Sequence, residues 1–477
     1  MNLVQPGQST SLLKHPALYT DLYELTMAQG YFLAGRKNET ACFDYFFREN
    51  PFEGGYVVFA GITDFLEILE NYRFHNDELN YLADYGFHAE FLDYLKNFRI
   101  TADIYSAKEG EIVFPRETIL QVEGKLIETQ MLETLLLNIL NFESLIATKA
   151  SRMKLVAGDK KILDFGLRRA QGFGGIQASK AAVIGGVEAT SNVYSSFIHG
   201  TPASGTMAHS WIQSFDDELT AFRKYAEFYP NDCILLVDTY DTLAIGVPNA
   251  IKVAKEMEEK GHRLKGIRLD SGDLAYFSRN ARQQLDNAGL QYVKIAASNQ
   301  LDERLIKSLL NQNAPIDLFG VGTRLVTGHE SSALDGVYKM ASVNSIPKLK
   351  ISENIEKTTF PGKKKIIRYI NGDDKFYGDG ILLASEDKVN TLFHPYYTIK
   401  HSNVSSLKTE ELLQPVMKNG KNVYEMPSPF ESADYATERL ARVHSEHKRF
   451  ENPHIYKVGI SRKLKDLRDE IARNMKY

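Results

Sequence analysis

The sequence predicts an α/β protein built around an irregular α/β barrel, and three observations carry that prediction. Four short segments each end a strand-like run in polar residues: Val237-Asp238-Thr239, Arg268 to Asp273, Ala297-Ser298-Asn299 and Phe319 to Arg324. Helix-patterned stretches at 244–260, 273–288 and 301–311 separate them, so strand and helix alternate as they do around a parallel sheet. The unit recurs about every 25 to 32 residues, the length of one strand plus one crossover helix. Fewer than eight clear units are visible, which points to an irregular barrel rather than a regular (β/α)₈.

Ahead of the barrel, residues 1–135 mix helical and strand patterns. Asp21 to Leu33 has the spacing of an amphipathic helix, and aromatic-rich Ala41 to Phe47 alternates like a strand. Glu53-Gly54-Gly55 supplies a turn before Tyr56 to Phe59, and residues 101–125 carry two or three short strands around Gly110 and Gly124. Met131 to Ala150 is the most apolar stretch, interrupted by Glu133, Asn138, Asn141 and Glu143. Its Leu135, Leu136, Ile139, Leu140, Leu145 and Ile146 form one helical face, so it is a core or interface helix rather than a membrane span.

The catalytic barrel is assigned to 136–345. Ile162 to Phe165 and Ile234 to Val237 are apolar runs of the kind expected for parallel strands buried on both faces. Gly261 and Gly289 stand where helix C-caps belong. Beyond the barrel, 346–477 is a small C-terminal appendage of strands and helices. Lys348 to Ser352, Lys364 to Asn371 and Ile381 to Ala384 predict antiparallel strands, with Asn371-Gly372 as a hairpin signal. Thr437 to Phe450 and the tail from Ser461 predict charged surface helices.

At 477 residues the chain is long enough for two or three domains, each with a sizeable core. A net charge of -4 gives no reason to expect nucleic acid or an anionic membrane as partner. Cys42 and Cys233 are far apart and fit no metal spacing, which suits buried free thiols in a reducing cytoplasm. Met1 to Thr10 lacks the basic and apolar regions of a signal peptide, so a soluble cytoplasmic protein is expected.

The strand ends hold the chemistry. Asp270 and Asp273 flank Ser271-Gly272, a turn that can offer N–H groups to an anion while a carboxylate holds ribose hydroxyls or hydrated Mg²⁺. Asp273 is the better helix cap and Asp270 the better ligand. Ser298-Asn299 ends a strand at the corresponding place. Gly320 and Gly322 let backbone approach a phosphate, Thr323 adds a hydroxyl and Arg324 a charge. Phe165 with Arg168 and Arg169 suits a planar anionic ring, stacked on the aromatic face and met by a guanidinium. His209 follows Gly205-Thr206 in a loop of small residues, where an accessible imidazole can act as base or phosphoryl acceptor. Lys363-Lys364-Lys365 is taken as a solvated turn, as most charge runs are, with contact to an ATP phosphate as the alternative.

Five stretches, in this order, resemble the nicotinate phosphoribosyltransferase family. They are Leu18 to Met27, Phe165 to Ala170, Gly205 to Ser210, Arg268 to Asp273 and Gly320 to Thr323, with Lys357 to Gly362 beyond them. The resemblance implies an N-terminal α/β sandwich joined to an irregular α/β barrel, which the C-terminal region partly completes on the sandwich side. It implies a homodimer with shared active sites. It also implies the transfer of phosphoribose from 5-phosphoribosyl 1-diphosphate to nicotinate, with Mg²⁺ as cofactor and ATP as co-substrate. By resemblance His209 is a transient phosphohistidine, and Thr206 lines the nicotinate pocket. Tyr19 and Phe165 would take the two faces of the ring, and Arg268 would sit near ring and ribose. Asp270 would hold the ribose hydroxyls and organise the cation, while Arg168, Gly322 and Thr323 would contact phosphates.

Relatives that use nicotinamide are expected to place an Asp against the amide; Glu188 to Asn192 instead offers Ser191 to a carboxylate. Glu188 keeps nicotinamide as the alternative substrate. Quinolinate, with two carboxylates, would need a denser basic pocket. A non-catalytic nucleotide-binding member of the fold is the remaining alternative, although every expected catalytic position holds a competent residue.

Overall fold

The computed structural model describes residues 13–353 and 357–475, so the reading of Met1 to Thr10 lies outside the described residues. The chain divides into two compact units, Lys149–Ser332 and a second made of the segments on either side of it.

The Lys149–Ser332 unit is a half-barrel. Its six parallel strands are β1 (Lys161–Asp164), β2 (Ala189–Thr190), β3 (Ile234–Leu236), β4 (Gly266–Leu269), β5 (Lys294–Ser298) and β6 (Leu318–Val321). They lie in the order β2-β1-β6-β5-β4-β3. Register pairs Asp164 with Val321, Ser298 with Gly320 and Ala297 with Leu269. The C-terminal ends of consecutive strands therefore meet along one edge, where the site is built. Crossover helices Val247–Glu259, Leu274–Asn287 and Glu303–Asn311 follow the sequence expectation closely. Gly261 and Gly289 end two of them with φ of 80° and 75°, a conformation glycine adopts without strain. Glu303 is fully buried, accepting Lys149 Nζ at 2.8 Å and Arg152 Nε at 2.8 Å.

The second unit has two larger sheets. In the seven-stranded one, Gly336–Val343 pairs with Thr40–Phe47, and Gln414–Lys418 pairs with Asp103–Ser106, so segments from both ends of the chain share a ladder. Thr40–Phe47 is buried over almost its whole length, chiefly through its aromatic residues Phe43, Tyr45 and Phe47. The six-stranded sheet contains the antiparallel pair Lys364–Ile370 and Phe376–Leu383. The long helix Glu133–Ala157 buries Leu135, Leu136, Ile139, Leu140, Leu145 and Ile146, as its apolar face demands.

Three local expectations change. Lys348 to Ser352 is irregular; the Lys348 N–H donates to the Ala341 carbonyl, Lys350 exchanges hydrogen bonds with Thr359 alone among the described residues, and the ladder strand is Gly336–Val343. The helix expected at Thr437 to Phe450 starts at Pro429 and ends at Arg442, because Ser428 and Glu431 form a capping box. Lys363-Lys364-Lys365 is no solvated turn. Lys364 is buried against Asp44 at 2.6 Å and donates to the Phe360 carbonyl, while Lys363 pairs with Glu123. Both cysteines are buried and free; burial, with help from the Asp44 charge, pushes the Cys42 thiol well up.

Candidate active site

At the C-terminal strand edge of the half-barrel lies a cavity of about 420 Å³. Five of the six strands deliver parts of its lining. Phe165 leaves β1, Ser191 follows β2, Asp270 follows β4, Ser298 and Asn299 end β5, and Gly320, Gly322 and Thr323 come from β6 and its exit. The loop Gly205 to Ala208 closes another side. Arg168, Arg169 and Arg268 make the lining cationic, and Asp270 is the one carboxylate among its described residues.

The ring of Phe165 lies over Gly320, where a Cβ would stand 2.4 Å from Phe165 Cε2. A side chain at 320 would displace the aromatic floor. Phe165 is placed from below by Asp164, a fully buried carboxylate at the end of β1. Its Oδ1 accepts the Gly166 N–H at 2.7 Å, and its Oδ2 accepts the hydroxyls of Ser179 and Thr190, both at 2.7 Å. Asn192 joins the network by donating to Ser179 Oγ at 3.2 Å. This cluster fixes Phe165-Gly166 and Ser191 against each other, and sequence reasoning missed it. Its signal was an Asp inside the apolar run Ile162 to Phe165.

Arg268 donates to the Thr206 hydroxyl and, at 3.2 Å, to the Met207 carbonyl. Its Nε is buried and has no hydrogen-bond partner among the described residues, which leaves a donor for a ligand or a water. Ser298 Oγ donates to Asp270 Oδ1 at 2.5 Å. Asn299 and Gln300 follow with φ of 90° and 50°, two consecutive non-glycine residues in the left-handed region beside the cavity.

His209 opens a short helix next to this lining, half-buried. Its Nδ1 lies 3.1 Å from Thr239 Oγ1, and its Nε2 lies 3.8 Å from both Asp238 Oδ1 and Asp270 Oδ2. Asp238, just beyond β3, is the second residue missing from the expected site. Its Oδ2 accepts the Asp270 N–H at 2.8 Å and the Ser271 hydroxyl at 2.7 Å, while Oδ1 is buried with no hydrogen-bond partner among the described residues. Behind it, burial and then the Asp238 charge raise the Glu218 carboxyl, against a restraining hydrogen bond from Asn249.

Ser271 and Gly272 therefore serve Asp238 and the turn rather than the cavity lining; Gly272 has φ 72°, and Phe277 fills the space a Cβ would need. Asp273 caps the next helix through the Tyr276 N–H, as expected. Arg169 lines the cavity, whereas Arg324 pairs with Asp302. Glu188 is turned to Lys154 at 2.7 Å and accepts the Ile162 N–H at 2.7 Å, so it is absent from the lining. Tyr19 belongs to the other unit, is exposed, and donates to Asn138 Oδ1 at 2.9 Å. Among the described residues no three His, Cys, Asp or Glu side chains are grouped to hold a metal by themselves.

Comparison with known proteins points to one family along the chain. Residues 18–141 match the nicotinate phosphoribosyltransferase N-terminal domain, 160–398 the nicotinate phosphoribosyltransferase family and 363–468 its C-terminal domain. A nicotinate phosphoribosyltransferase of Bacillus subtilis is 43% identical over 456 residues, covering 93% of each chain. This chain belongs to the nicotinate phosphoribosyltransferase family. A Caenorhabditis elegans member is 34% identical over 94% of this chain and 92% of its own. The crystal structure of the human nicotinic acid phosphoribosyltransferase superposes with a TM-score of 0.84 at 30% identity, covering 95% of this chain and 99% of that one. As a member, the chain is a phosphoribosyltransferase acting on small molecules, with the mixed α/β fold of the family.

Proposed function

We propose that the enzyme joins nicotinate to 5-phosphoribosyl 1-diphosphate, giving nicotinate mononucleotide and diphosphate. The step is coupled to hydrolysis of ATP to ADP and phosphate through transient phosphorylation of His209. It is the first step of NAD synthesis from nicotinate. The observation that carries this reading is His209 held between Thr239, Asp238 and Asp270 beside a cavity with three arginines and a single lining carboxylate.

Phe165 stacks beneath the pyridine ring, Tyr19 of the partner subunit in a cytoplasmic homodimer covers its other face, and Ser191 and Thr206 meet the carboxylate. Arg168, with Gly322 and Thr323, takes phosphate. Asp270 accepts from the ribose hydroxyls and stabilises the positive charge that builds on the sugar as diphosphate leaves. Asp270 would also hold Mg²⁺, which supplies charge neutralisation for the leaving diphosphate; few protein ligands suit a cation that arrives on phosphates. Phosphorylating His209 adds about -1.5 to -2 charges beside Asp238 and Asp270, reorganising the loop that carries Thr206. Nicotinate is favoured over nicotinamide because Glu188 is engaged by Lys154 and only Ser191 of that stretch reaches the cavity.

The test is product formation from 5-phosphoribosyl 1-diphosphate and Mg²⁺ with nicotinate or nicotinamide, each with and without ATP, in the wild type and in His209→Ala. Turnover of nicotinate with an ATP gain that vanishes in the variant is expected. Preference for nicotinamide would overturn the substrate, and an ATP gain surviving in His209→Ala would overturn the coupling.

A further inference from the structure

A second cavity, of about 500 Å³, lies wholly inside the unit built from the two ends of the chain and shares no lining residue with the active-site cavity. Arg116, Lys400, Lys457, His394, His401 and His454 line it, and no Asp or Glu is among its described lining residues. The cations sit beside aromatic rings. Lys457 Nζ lies 4.1 Å from the centre of the Tyr377 ring, Lys400 Nζ 5.9 Å from Tyr397, and Arg116 Cζ 5.2 Å from Tyr396. Neither Lys400 nor Lys457 pairs with a carboxylate among the described residues, so both ammonium groups can be given to an anion without breaking an ion pair. His394 accepts two backbone N–H groups at Nδ1, from Tyr396 and Tyr397, which puts its ring hydrogen on Nε2 as a donor.

The wall is rigid and flat. Tyr456 is buried, stacks on Phe114 with ring centres 3.5 Å apart, and donates to Asp379 Oδ1 at 3.1 Å. Asp379 is itself clasped by Arg368 at 2.9 and 2.7 Å, so the carboxylate behind the wall presents no uncompensated charge to the cavity. Arg116 holds a left-handed φ of 75°, a conformation costly for arginine, at the rim. Cations without acids, aromatic faces and a volume in the range of small-molecule sites form one chemical pattern.

We propose that this cavity is a binding site for an anionic nucleotide, separate from the active site, with Lys400, Lys457 and Arg116 on the phosphates and Tyr377, Phe393 and Tyr456 offering flat faces to the base. Calorimetric titration of the full chain with ATP, and with inorganic triphosphate, tests it in the wild type and in Lys400→Glu/Lys457→Glu. The variant is expected to bind one ATP fewer per chain, or to bind it at this site at least about tenfold more weakly, since two charge-assisted contacts are reversed. Its turnover of saturating substrates stays unchanged, and Lys400→Arg/Lys457→Arg restores the site. This difference is read whether or not the active site also takes ATP, so it stands or falls apart from the coupling proposed above. Should the charge reversal fail to fold, Lys400→Gln/Lys457→Gln reports the same loss. Identical ATP stoichiometry and affinity in wild type and variant would overturn the site. Triphosphate should bind about tenfold more weakly than ATP for want of the ring contacts, and equal affinity would overturn the assignment to a nucleotide.

Discussion

Asp164→Ala probes the device that aims the aromatic floor of the site. Three groups lose their acceptor: the Gly166 N–H and the hydroxyls of Ser179 and Thr190, each 2.7 Å from the carboxylate. They do not lose equally. Ser179 can turn its hydrogen to the Gly175 carbonyl, which already lies 3.0 Å away. Thr190 can turn its hydrogen only to Ser179 Oγ, at 3.4 Å, and the Gly166 N–H has no second acceptor among the described residues. One stranded backbone donor, at about 1–3 kcal/mol, and one weakened hydroxyl bond, at up to about 1 kcal/mol, together cost about 2–4 kcal/mol. Asp164→Asn keeps an oxygen for Gly166 and places an amide where both hydroxyls can accept, so about 1 kcal/mol is lost. Urea unfolding monitored by Trp fluorescence or circular dichroism measures both. The same pair separates KM from kcat: with Phe165 and Ser191 in the proposed nicotinate pocket, loosening them should raise KM for nicotinate more than KM for 5-phosphoribosyl 1-diphosphate. A loss under about 1 kcal/mol for Asp164→Ala, or equal losses in the two variants, would refute this account of the cluster.

Gly320→Ala forces the Phe165 ring aside, since the new Cβ would stand 2.4 Å from it; KM for nicotinate should rise by about tenfold, and an unchanged KM would show that the ring does not stack on substrate. Glu188→Gln should leave the preference for nicotinate unaltered and cost less than about 1 kcal/mol, its partly exposed pair with Lys154 being screened; a swing toward nicotinamide in competition assays would contradict the placement of Glu188 outside the cavity. For Glu303, burial pulls the carboxyl up, but Lys149 and Arg152 outweigh it and hold it below its ordinary value. Its stabilising contribution is therefore complete above the unfolded value of about 4.3 and is lost as pH falls through the folded value. Glu303→Gln should be less stable at neutral pH and show a shallower loss below about pH 4; an unchanged acid limb in pH-dependent melting would count against it.

The sequence by itself determined what local chemistry can determine. Apolar runs of four or five residues ending in Asp, Ser, Gly or Arg marked the barrel strands, because a strand buried on both faces tolerates polarity only at its ends. The helices between them began and ended where Asp273, Gly261 and Gly289 said they would, since caps answer to the nearest few backbone groups. Most of the cavity lining followed, because strand ends of a parallel sheet converge whatever their separation along the chain. Tertiary structure decided the rest. Asp238 and Asp164 became part of the site only when residues 32 apart, Asp238 and Asp270, and 26 apart, Asp164 and Thr190, were brought within hydrogen-bonding distance. Arg324 and Glu188 left the site for the opposite reason, each captured by an ion pair with a residue far away in sequence. Lys364, one of three consecutive lysines, could be buried only because Asp44, on a strand some 320 residues earlier, meets it. A charge is a local property, but its partner is not, and it is the partner that decides whether the charge is solvated, structural or free to bind substrate.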